Sequence, residues 1–388
     1  MTERVHAYGS KIFLMMSAGF GRVTIPTNLG EFPPVAPSAI PHRWLDKICR
    51  PLTVEEIHSI VKSFGDGAYN AMRAGFDGVE IHAVHEGYLL DQFAISMFNQ
   101  RTDEYGGSLE NRLRFVREVV EEIKSRCGKD FPVALRFSVK SMIKDWREGA
   151  LPGEEFEEKG RDVEEGLAAA RLLVEYGYDA LDTDVGTYDA WWWNHPPMYQ
   201  KKGLYRPYCR MVKEAVDVPV LCAGRMDNPD MALEALEKGE CDIISLGGNL
   251  IPGGVPDFKE DDIALADWYV QTLKDLRVPV YLNHEVTKDE ILAGDYDAVI
   301  LATGSVPKRF SLGDDARVYT ASQVLLKEKD CGDSAVIVGG GLVGCETALW
   351  LRQQGKKVTI VEALDKILAV NGPLCHANKD MLERLVPY

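Results

Sequence analysis

The amino-acid sequence predicts an α/β protein in which an incomplete (β/α)8 TIM barrel of about six strands precedes a partial Rossmann-type dinucleotide-binding domain. Two observations support this: short segments rich in Val, Ile and Leu alternate with amphipathic segments, and a glycine-rich loop follows a strand near the C-terminus. Strands that are apolar along their whole length are typical of parallel sheets buried on both faces. The predicted strands are Lys11–Ser17, Gly78–Val84, Pro132–Val139, Ala180–Val185, Val218–Ala223 and Cys241–Leu246.

Amphipathic segments between these strands carry the signals of helix N-termini. Ser108 precedes one of them, and Asn228 followed by Pro229 precedes another. Regular strand–helix repetition implies a parallel sheet, and a complete barrel of this type needs eight strands. The predicted helices are Val54–Ala74, Leu109–Ser125, Phe156–Tyr176, Tyr208–Val216 and Pro229–Lys238.

The composition is that of a globular chain with excess negative charge. Of 388 residues, 46 % are hydrophobic, and 44 basic against 60 acidic residues give a formal net charge of −16 at pH 7. Such a chain repels phosphate groups, so nucleic acids and anionic membranes are disfavoured as partners. No apolar run reaches the roughly 20 residues of a membrane-spanning helix. Eight cysteines without a C-x-x-C pair predict reduced thiols and a cytoplasmic protein.

The pattern changes after Gly247. A turn-rich segment leads to a predicted helix from about Ala264 to Leu276 and then to a buried strand that ends in Ala302-Thr303-Gly304. A Rossmann-type unit is predicted from Ser334, with a strand, a glycine loop, a helix and a second strand. The sequence therefore predicts domain boundaries close to residues 247 and 330.

The glycine loop is the most specific short motif of the chain. Gly339, Gly341 and Gly344 form a G-x-G-x-x-G pattern after a strand, where backbone N–H groups at a helix N-terminus can approach a pyrophosphate. Glu362 ends the next strand, where a carboxylate accepts hydrogen bonds from a ribose 2′-hydroxyl and repels a 2′-phosphate. The pattern favours NAD(H) over NADP(H), and a glycine-rich turn without a ligand is the alternative.

Candidate catalytic residues lie at the end of the predicted strand Gly78–Val84. His82, His85 and Tyr88 occur there, and the chemistry of (β/α)8 barrels lies at the C-terminal ends of strands. Imidazoles can donate hydrogen bonds to a carbonyl group, and a phenol can deliver a proton. Buried side chains without a catalytic role are the alternative. A zinc site is disfavoured because the spacing offers no third ligand.

Other candidate residues lie at the ends of later strands. Arg136 is an inward-facing cation, which requires an anion or an electron-rich ring nearby. Arg225 follows Gly224 where barrels of this type bind phosphate. The Trp191–Trp193 segment follows another strand, so its rings either cover an apolar substrate or fill the mouth of the barrel.

Two longer motifs resemble a known family. The segments from His82 to Phe93 and from Asn99 to Arg112 look like the Old Yellow Enzyme group of flavin reductases. Within it, nearly the whole chain is similar to the long anaerobic branch with 2-enoate reductase, 2,4-dienoyl-CoA reductase and the bile-acid enone oxidoreductases. In that branch an FMN-binding barrel is followed by a 4Fe-4S cluster and by FAD- and NAD-binding domains. Reduced FMN there delivers hydride to an activated C=C bond.

The resemblance implies roles for individual residues. His82 and His85 would hold the substrate carbonyl, and Tyr88 would be the proton donor. The implied cofactor contacts are Arg136 with the flavin ring, Gly224 and Arg225 with the FMN phosphate, Ala302, Thr303 and Gly304 near FAD, and Gly339, Gly341, Gly344 and Glu362 with NAD(H).

The chain also departs from that family. Met15 stands where a flavin-binding Gln is usual, and the first two barrel strands, the cluster cysteines and the FAD glycine loop have no counterpart. We therefore expect a family member that is truncated at both ends and deleted internally. On this interpretation, residues 1–247 are an FMN-type barrel, 248–330 the remnant of an FAD-binding domain and 331–388 a partial NAD(H)-binding unit.

The predicted function is the flavin-dependent reduction of activated C=C bonds in α,β-unsaturated carbonyl or carboxylate compounds, with FMN and NAD(H) as cofactors. A CoA thioester or steroid substrate and a homo-oligomer stay open. The alternative is an inactive remnant that retains at most NAD(H) binding, and a disulfide-type reductase is disfavoured because no cysteine redox pair occurs. The missing strands and Met15 predict weak or no FMN binding, and the scattered cysteines predict no 4Fe-4S cluster.

Overall fold

The computed structural model describes residues 1–197, 200–226, 228–244, 287–294, 317–369 and 376–386, and a few single residues between 271 and 279. Contacts between residues divide the chain into two units, which are Met1–Gly248 with Leu374–Arg384 and Asn249–Pro373 with Leu385–Tyr388. The predicted helix at 264–276 lies almost wholly outside the described residues, and the segment Ala302-Thr303-Gly304 lies wholly outside them. None of the described helices is long and apolar enough to cross a membrane.

The first unit is built on a parallel sheet. Its strands are β1 (Phe13–Ser17), β2 (Val35–Ala36), β3 (Arg50–Pro51), β4 (Gly78–Val84), β5 (Val133–Ser138), β6 (Ile143–Asp145), β7 (Glu148–Gly149), β8 (Ala180–Asp184), β9 (Val220–Cys222) and β10 (Ile243–Ile244). Six of them form one sheet in the order β1-β4-β5-β8-β9-β10, and each neighbouring pair is parallel. The six predicted strands are therefore confirmed.

Helices connect the sheet strands, and several begin at the predicted caps. They are α1 (Thr2–His6), α2 (Val54–Arg73), α3 (Leu89–Ala94), α4 (Leu109–Arg112), α5 (Arg114–Cys127), α6 (Val163–Tyr176), α7 (Trp191–Asn194), α8 (Arg206–Lys213) and α9 (Pro229–Glu237). The side chains of Ser108 and Asn228 accept hydrogen bonds from the first turns of α4 and α9, as predicted.

Three predicted helices have different boundaries in the structure, and the helix predicted over Tyr208–Val216 spans Arg206–Lys213. The helix predicted from Phe156 begins at Val163, because the Asp162 side chain caps it by accepting from the backbone N–H of Glu165. The helix predicted over Leu109–Ser125 is two helices, α4 and α5, that meet at Leu113. None of these differences changes the order of strands and helices.

The sheet is an incomplete barrel in the described part of the chain. There β1 and β10 are edge strands, since β1 pairs only with β4 and β10 only with β9. Phe13 and Met15 on β1 are 42 % and 46 % exposed, whereas Val79 and Ile81 on the neighbouring β4 are fully buried. The predicted barrel of about six strands is confirmed.

The second unit contains a parallel strand pair with one helix between the strands. Its described elements are α10 (Lys288–Ala293), α11 (Ala321–Leu325), β11 (Ser334–Val338), α12 (Leu342–Gln353) and β12 (Lys357–Val361). β11 pairs in parallel with β12, and α12 contacts both strands. This is the predicted partial Rossmann unit. A last helix, α13 (His376–Leu385), follows, and its residues up to Arg384 group with the first unit.

Candidate functional site

The loop after β4 is held in an unusual backbone conformation. Glu86 and Gly87 have φ angles of 59° and 73°. The backbone N–H of Gly87 donates to Oδ2 of Asp91 at 2.7 Å. The other oxygen of Asp91, Oδ1, lies 2.6 Å from Nη2 of Arg161, and the side chains of Asp91 and Arg161 are fully buried. A non-glycine residue at positive φ costs about 1–3 kcal/mol and persists where its surroundings fix it. The loop is therefore set by its hydrogen bonds, which direct Glu86 inward to 5 % exposure.

The three predicted catalytic residues lie together at this loop. The ring centroids of His82 and His85 are 4.5 Å apart, and the Tyr88 ring stacks on His82 at 4.3 Å. His85 is fully buried, His82 is 9 % exposed and Tyr88 is half-buried. The parallel sheet thus brings two imidazoles and one phenol to the C-terminal end of β4.

The two histidines differ in charge. Nδ1 of His85 lies 2.7 Å from Asp184, and its Nε2 lies 3.1 Å from Glu86. Burial alone lowers the pKa of His85, but the two carboxylates outweigh it and raise the pKa to about 9. Burial and the charge of His85 lower the pKa of His82 to about 3. At neutral pH the site therefore holds one imidazolium and one neutral imidazole.

Arg136 lies beside the same carboxylates. Its Nε is 3.3 Å from Asp182 and its Nη2 is 3.2 Å from Asp184. Burial and the neighbouring Asp182 raise the pKa of Glu80 to about 7, so this group stays partly protonated near neutral pH. The predicted need of Arg136 for an anion is therefore met by aspartates of β8.

Aromatic rings extend from Tyr88. Its hydroxyl is 3.1 Å from the hydroxyl of Tyr188, and Tyr188 stacks on Trp191 at a centroid distance of 4.4 Å. The ring centroids of Trp44 and Trp191 are 5.5 Å apart, and those of Phe20 and Tyr88 are 4.7 Å apart. These five residues (Phe20, Trp44, Tyr88, Tyr188 and Trp191) are called the aromatic wall below.

The three tryptophans of the segment from Trp191 to Trp193 lie in two different environments. Trp192 and Trp193 are buried, and their indole N–H groups donate to the carbonyl of Ala150 at 2.8 and 2.7 Å. Trp191 is half-buried in the aromatic wall. Two of the rings therefore fill the interior, and the third is part of the aromatic wall.

The predicted phosphate-binding residues lie after β9 and are engaged within the protein. Gly224 has a φ of 81°, and a Cβ there would lie 2.4 Å from the ring of Tyr205. The guanidinium of Arg225 donates to the carbonyl of Gln200. The carbonyls of Gly224 and Arg225 accept from the N–H groups of Leu204 and Gly203, both at 3.1 Å. Gly224 is therefore required for packing against Tyr205.

FMN fits the ring side of this site better than the phosphate side. In the part of the chain that the structure describes, several buried polar atoms beside the histidines lack a hydrogen-bond partner. Buried polar atoms usually have such a partner, and the polar edge of a flavin ring could supply it. They are Glu80 Oε1, His82 Nδ1, Arg136 Nε and Asp182 Oδ1. On the phosphate side, Arg225 bonds the Gln200 carbonyl and Tyr205 covers Gly224. Met15 on β1 supplies no strong hydrogen-bonding group.

The glycine loop of the second unit has the geometry of a dinucleotide fingerprint. A Cβ on Gly344 would lie 2.0 Å from the carbonyl oxygen of Gly339, whereas a Cβ on Gly341 would meet no described atom within 4 Å. The Glu362 carboxylate accepts from the N–H groups of Gly340 at 2.6 Å and Leu364 at 2.9 Å. These backbone hydrogen bonds lower the pKa of Glu362 and fix its carboxylate beside the loop.

Sequence reasoning missed three ionisable residues at the first site. Glu86 and Asp184 bracket His85, and His195 lies 3.5 Å from Glu86 through its Nε2. The Asp-x-Asp pattern at the end of β8 was a usable signal, because parallel strand ends meet at one edge of a sheet. His195 follows α7, and its position depends on a loop that carries no such pattern.

The comparisons with known proteins identify the family. Residues 1–259 match the NADH:flavin oxidoreductase / NADH oxidase family, and residues 269–384 match the pyridine nucleotide-disulphide oxidoreductase family. The chain is 50 % identical to a cinnamate reductase of Clostridium sporogenes, over the whole of this chain and 73 % of that protein. It is 28 % identical to an NADH oxidase of Thermoanaerobacter brockii, over 99 % of this chain and 73 % of that protein.

The alignment to the cinnamate reductase runs over 488 positions, more than the 388 residues of this chain. Some residues of the relative thus have no counterpart here, in keeping with the predicted internal deletion. A solved structure of a 2-naphthoyl-CoA reductase complex matches with a TM-score of 0.70 at 21 % identity, over 87 % of this chain and 65 % of that one. It supports the fold. The chain belongs to the NADH:flavin oxidoreductase / NADH oxidase family.

Proposed function

We propose that the chain is a flavin-dependent reductase of the activated C=C bond of 2-enoates, with 3-aryl 2-enoates as the substrate class. The observation that carries the proposal is the convergence of His82, His85 and Tyr88 at one strand end. The family and the 50 % identity to a cinnamate reductase support the reaction type. The competing hypothesis is an inactive remnant that binds at most NAD(H).

The histidines are suited to stabilise the negative charge that develops on the substrate oxygen. FMN, when bound, supplies hydride to the β-carbon. Nε2 of His85 belongs to an imidazolium and has no hydrogen-bond partner of good geometry among the described residues. A charged donor of this kind stabilises an enolate-like oxygen strongly, because it acts in a buried site. His82 then positions the same oxygen as a neutral donor.

Tyr88 is suited to protonate the α-carbon. Burial and the nearby Glu86 charge raise the pKa of Tyr88 well above its ordinary range, so the phenol keeps its proton at neutral pH. Its hydroxyl is 3.1 Å from that of Tyr188, whose pKa burial raises to about 12. The O–H bond of Tyr88 breaks as the new C–H bond forms, and Tyr188 is the neighbouring hydroxyl that orients it.

The aromatic wall favours an aryl group on the substrate. Trp191 and Tyr188 stack at 4.4 Å, and the rings continue to Trp44. Such rings bind another aromatic ring through apolar contact and offset stacking. The named substrates of two similar proteins, cinnamate and 2-naphthoyl-CoA, both contain an aromatic ring.

The cofactor part of the proposal is FMN in the first unit and NAD(H) in the second. Arg136 would lie against the flavin ring, and the loop of Gly339, Gly341 and Gly344 with Glu362 would hold the dinucleotide. Because Arg225 and Gly224 are already engaged, we expect FMN to bind more weakly than in relatives that present an open phosphate site. FAD near Ala302-Thr303-Gly304, a 4Fe-4S cluster and a cytoplasmic location stay predictions.

The test isolates the step at Tyr88. The chain is loaded with excess FMN, reduced chemically, and mixed with cinnamate while the flavin absorbance is followed by stopped flow. Tyr88→Phe should slow flavin reoxidation by roughly 10²–10⁴-fold, the usual contribution of a general acid. Tyr69→Phe, which changes a surface tyrosine of α2, should leave the rate unchanged.

Two outcomes would contradict the proposal. Reoxidation of the Tyr88→Phe variant at the unmutated rate would place the proton donor elsewhere. Failure of the chain to bind FMN in a fluorescence titration, while NADH still binds, would favour the inactive remnant. An aryl preference requires in addition that Trp191→Ala raises the KM for cinnamate more than the KM for crotonate.

A further inference from the structure

One cluster in the first unit has the chemistry of a metal site that residue spacing alone did not reveal. His82, His85 and Glu86 each offer one ligand atom, and these three atoms lie within 4.8 Å of one another. Their exposures are 9 %, 0 % and 5 %. In the described part of the chain this is the only group of three or more such residues. The third ligand absent from the H-x-x-H spacing is therefore Glu86, the residue held at positive φ.

The distances suit one small cation. Glu86 Oε1 is 3.1 Å from Nε2 of His85, and Glu86 Oε2 is 3.7 Å from Nε2 of His82. Bonds of about 2.0–2.1 Å in a tetrahedral zinc site place neighbouring ligand atoms about 3.3 Å apart. The two separations, which involve different oxygens of one carboxylate, bracket that value. The three ligand atoms all lie within 4.8 Å of one another, so side-chain rotations can bring them to a shared ion.

Two of the three ligands already have the outer partners that metal sites use. Nδ1 of His85 is 2.7 Å from Asp184, which leaves Nε2 for a metal. Trp191 Nε1 donates to Nδ1 of His195 at 2.7 Å, so the proton of neutral His195 lies on Nε2. That Nε2 lies 3.5 Å from Glu86 Oε1, so His195 is the neighbour of this carboxylate oxygen.

We propose that His82, His85 and Glu86 form a binding site for a divalent transition metal of the zinc class, with water in the fourth position. Two imidazole nitrogens and one carboxylate oxygen suit Zn²⁺ and its neighbours, whereas Mg²⁺ and Ca²⁺ prefer oxygen ligands. The ion replaces the proton on Nε2 of His85, which passes to water. The metal and a substrate oxygen use the same imidazoles, so each excludes the other. The site itself requires neither flavin nor the proposed reaction.

The first experiment measures binding without catalysis. The flavin-free, chelator-treated chain is titrated with Zn²⁺ by calorimetry. Glu86→Gln and His82→Ala should abolish the site, and Asp184→Asn should weaken it about 10–100-fold through the outer partner of His85. His58→Ala, which removes an exposed histidine of α2, is the matched control and should bind Zn²⁺ like the unmutated chain. Unchanged Zn²⁺ affinity in the Glu86→Gln variant would overturn the proposal.

The second experiment uses the unmutated chain, so it does not depend on the folding of variants. The chain contains eight cysteines that compete for Zn²⁺, and Co²⁺ distinguishes the two kinds of site by its spectrum. Nitrogen and oxygen ligands give visible d–d bands alone, whereas thiolates add an intense ultraviolet charge-transfer band. Visible bands that Zn²⁺ displaces support the site. A thiolate band, or no visible band, contradicts it.

Discussion

The two units place their candidate functional groups in opposite environments. In the first unit, His85, Glu86 and Asp184 are buried, and the two carboxylates are balanced by the His85 imidazolium together with Arg136. In the second unit, Gly341 and Glu362 are half-buried, and the groups that would contact a dinucleotide are largely backbone N–H groups. The first site therefore depends on a balance of charges out of water, and the second depends on the shape of a loop.

This difference decides which changes each unit tolerates. Removing one partner of a buried pair leaves an uncompensated charge, so the first unit should respond strongly to single charge changes and to pH. The glycine loop of the second unit should be destabilised by an added Cβ at a position where two backbone segments lie close together. The predictions below test this contrast, beginning with the largest expected effect.

The Arg22–Asp189 pair is a deeply buried ion pair near the aromatic wall. Its contacts are 2.6 and 3.2 Å, and both side chains are at most 1 % exposed. Asp189→Ala should lower the free energy of unfolding by about 3–5 kcal/mol, because the Arg22 charge stays buried without its partner. Urea unfolding followed by tryptophan fluorescence measures the change.

The matched control is Glu121→Ala, which removes the exposed partner of the partly exposed Arg117–Glu121 pair of α5. An exposed pair four residues apart on a helix contributes only about 0.3–0.5 kcal/mol. Equal losses in the two variants would contradict the contrast between buried and exposed charges.

The stability of the first unit should fall as the pH rises from 6.5 to 9. The folded-state pKa of His85 is about 9, above its ordinary value of 6.5, so its contribution is full below pH 6.5 and is lost as the pH passes 9. The pKa of Glu80 is raised from 4.5 to about 7, so its ionisation also lowers the stability as the pH rises, between about pH 4.5 and 7. The groups facing His85 are Glu86, Asp184, His82 and Arg136.

We expect a loss of about 1–3 kcal/mol over this range, measured by urea unfolding at several pH values. The His85→Gln variant lacks the titrating group, so its unfolding free energy should change less between pH 6.5 and 9. An identical slope in that variant would assign the pH dependence to other residues.

The strands of the sheet could be predicted from the sequence because the apolar pattern of a buried strand lies within a single short segment. Each of the six strands is a short apolar run, and its position does not depend on distant residues. His82, His85 and Tyr88 were predicted from a motif within one strand and its loop, and the structure brings them together. Their catalytic roles stay predictions.

The rest of the site depends on information that one segment does not carry. The contact of Asp184 with His85 requires the pairing of β5 with both β4 and β8. The inward direction of Glu86 requires a positive φ. The distant residues Ser138, which accepts from the backbone N–H of Glu86, and Arg161, which pairs with Asp91, help to maintain it. Gly224 fits the phosphate motif equally well by sequence, and only the position of the Tyr205 ring shows its packing role.

Alanine substitutions at two glycines of the nucleotide loop should distinguish a packing role from a role in letting the ligand approach the backbone. Gly344→Ala should destabilise the second unit by about 1–3 kcal/mol, because the new Cβ would lie 2.0 Å from a backbone carbonyl. Gly341→Ala meets no described atom and should change stability by less than about 0.5 kcal/mol. It should nevertheless weaken NADH binding at least about tenfold, since the second glycine of the motif lets the backbone approach the pyrophosphate. Normal NADH binding by Gly341→Ala would show that the loop does not hold the dinucleotide.

The smallest expected effect concerns the choice between NADH and NADPH. Two backbone N–H groups fix the Glu362 carboxylate beside the loop, where it would meet the ribose 2′-position. Glu362→Gln keeps an oxygen acceptor and removes the charge that repels a 2′-phosphate. The ratio of NADPH to NADH affinity should therefore rise about threefold to tenfold, as expected for a charge contact of about 1 kcal/mol. Fluorescence titrations with both nucleotides measure the ratio, and Asp365→Asn removes a nearby exposed carboxylate as the control. If both variants shift the ratio equally, the preference comes from the general negative charge of this surface and not from Glu362.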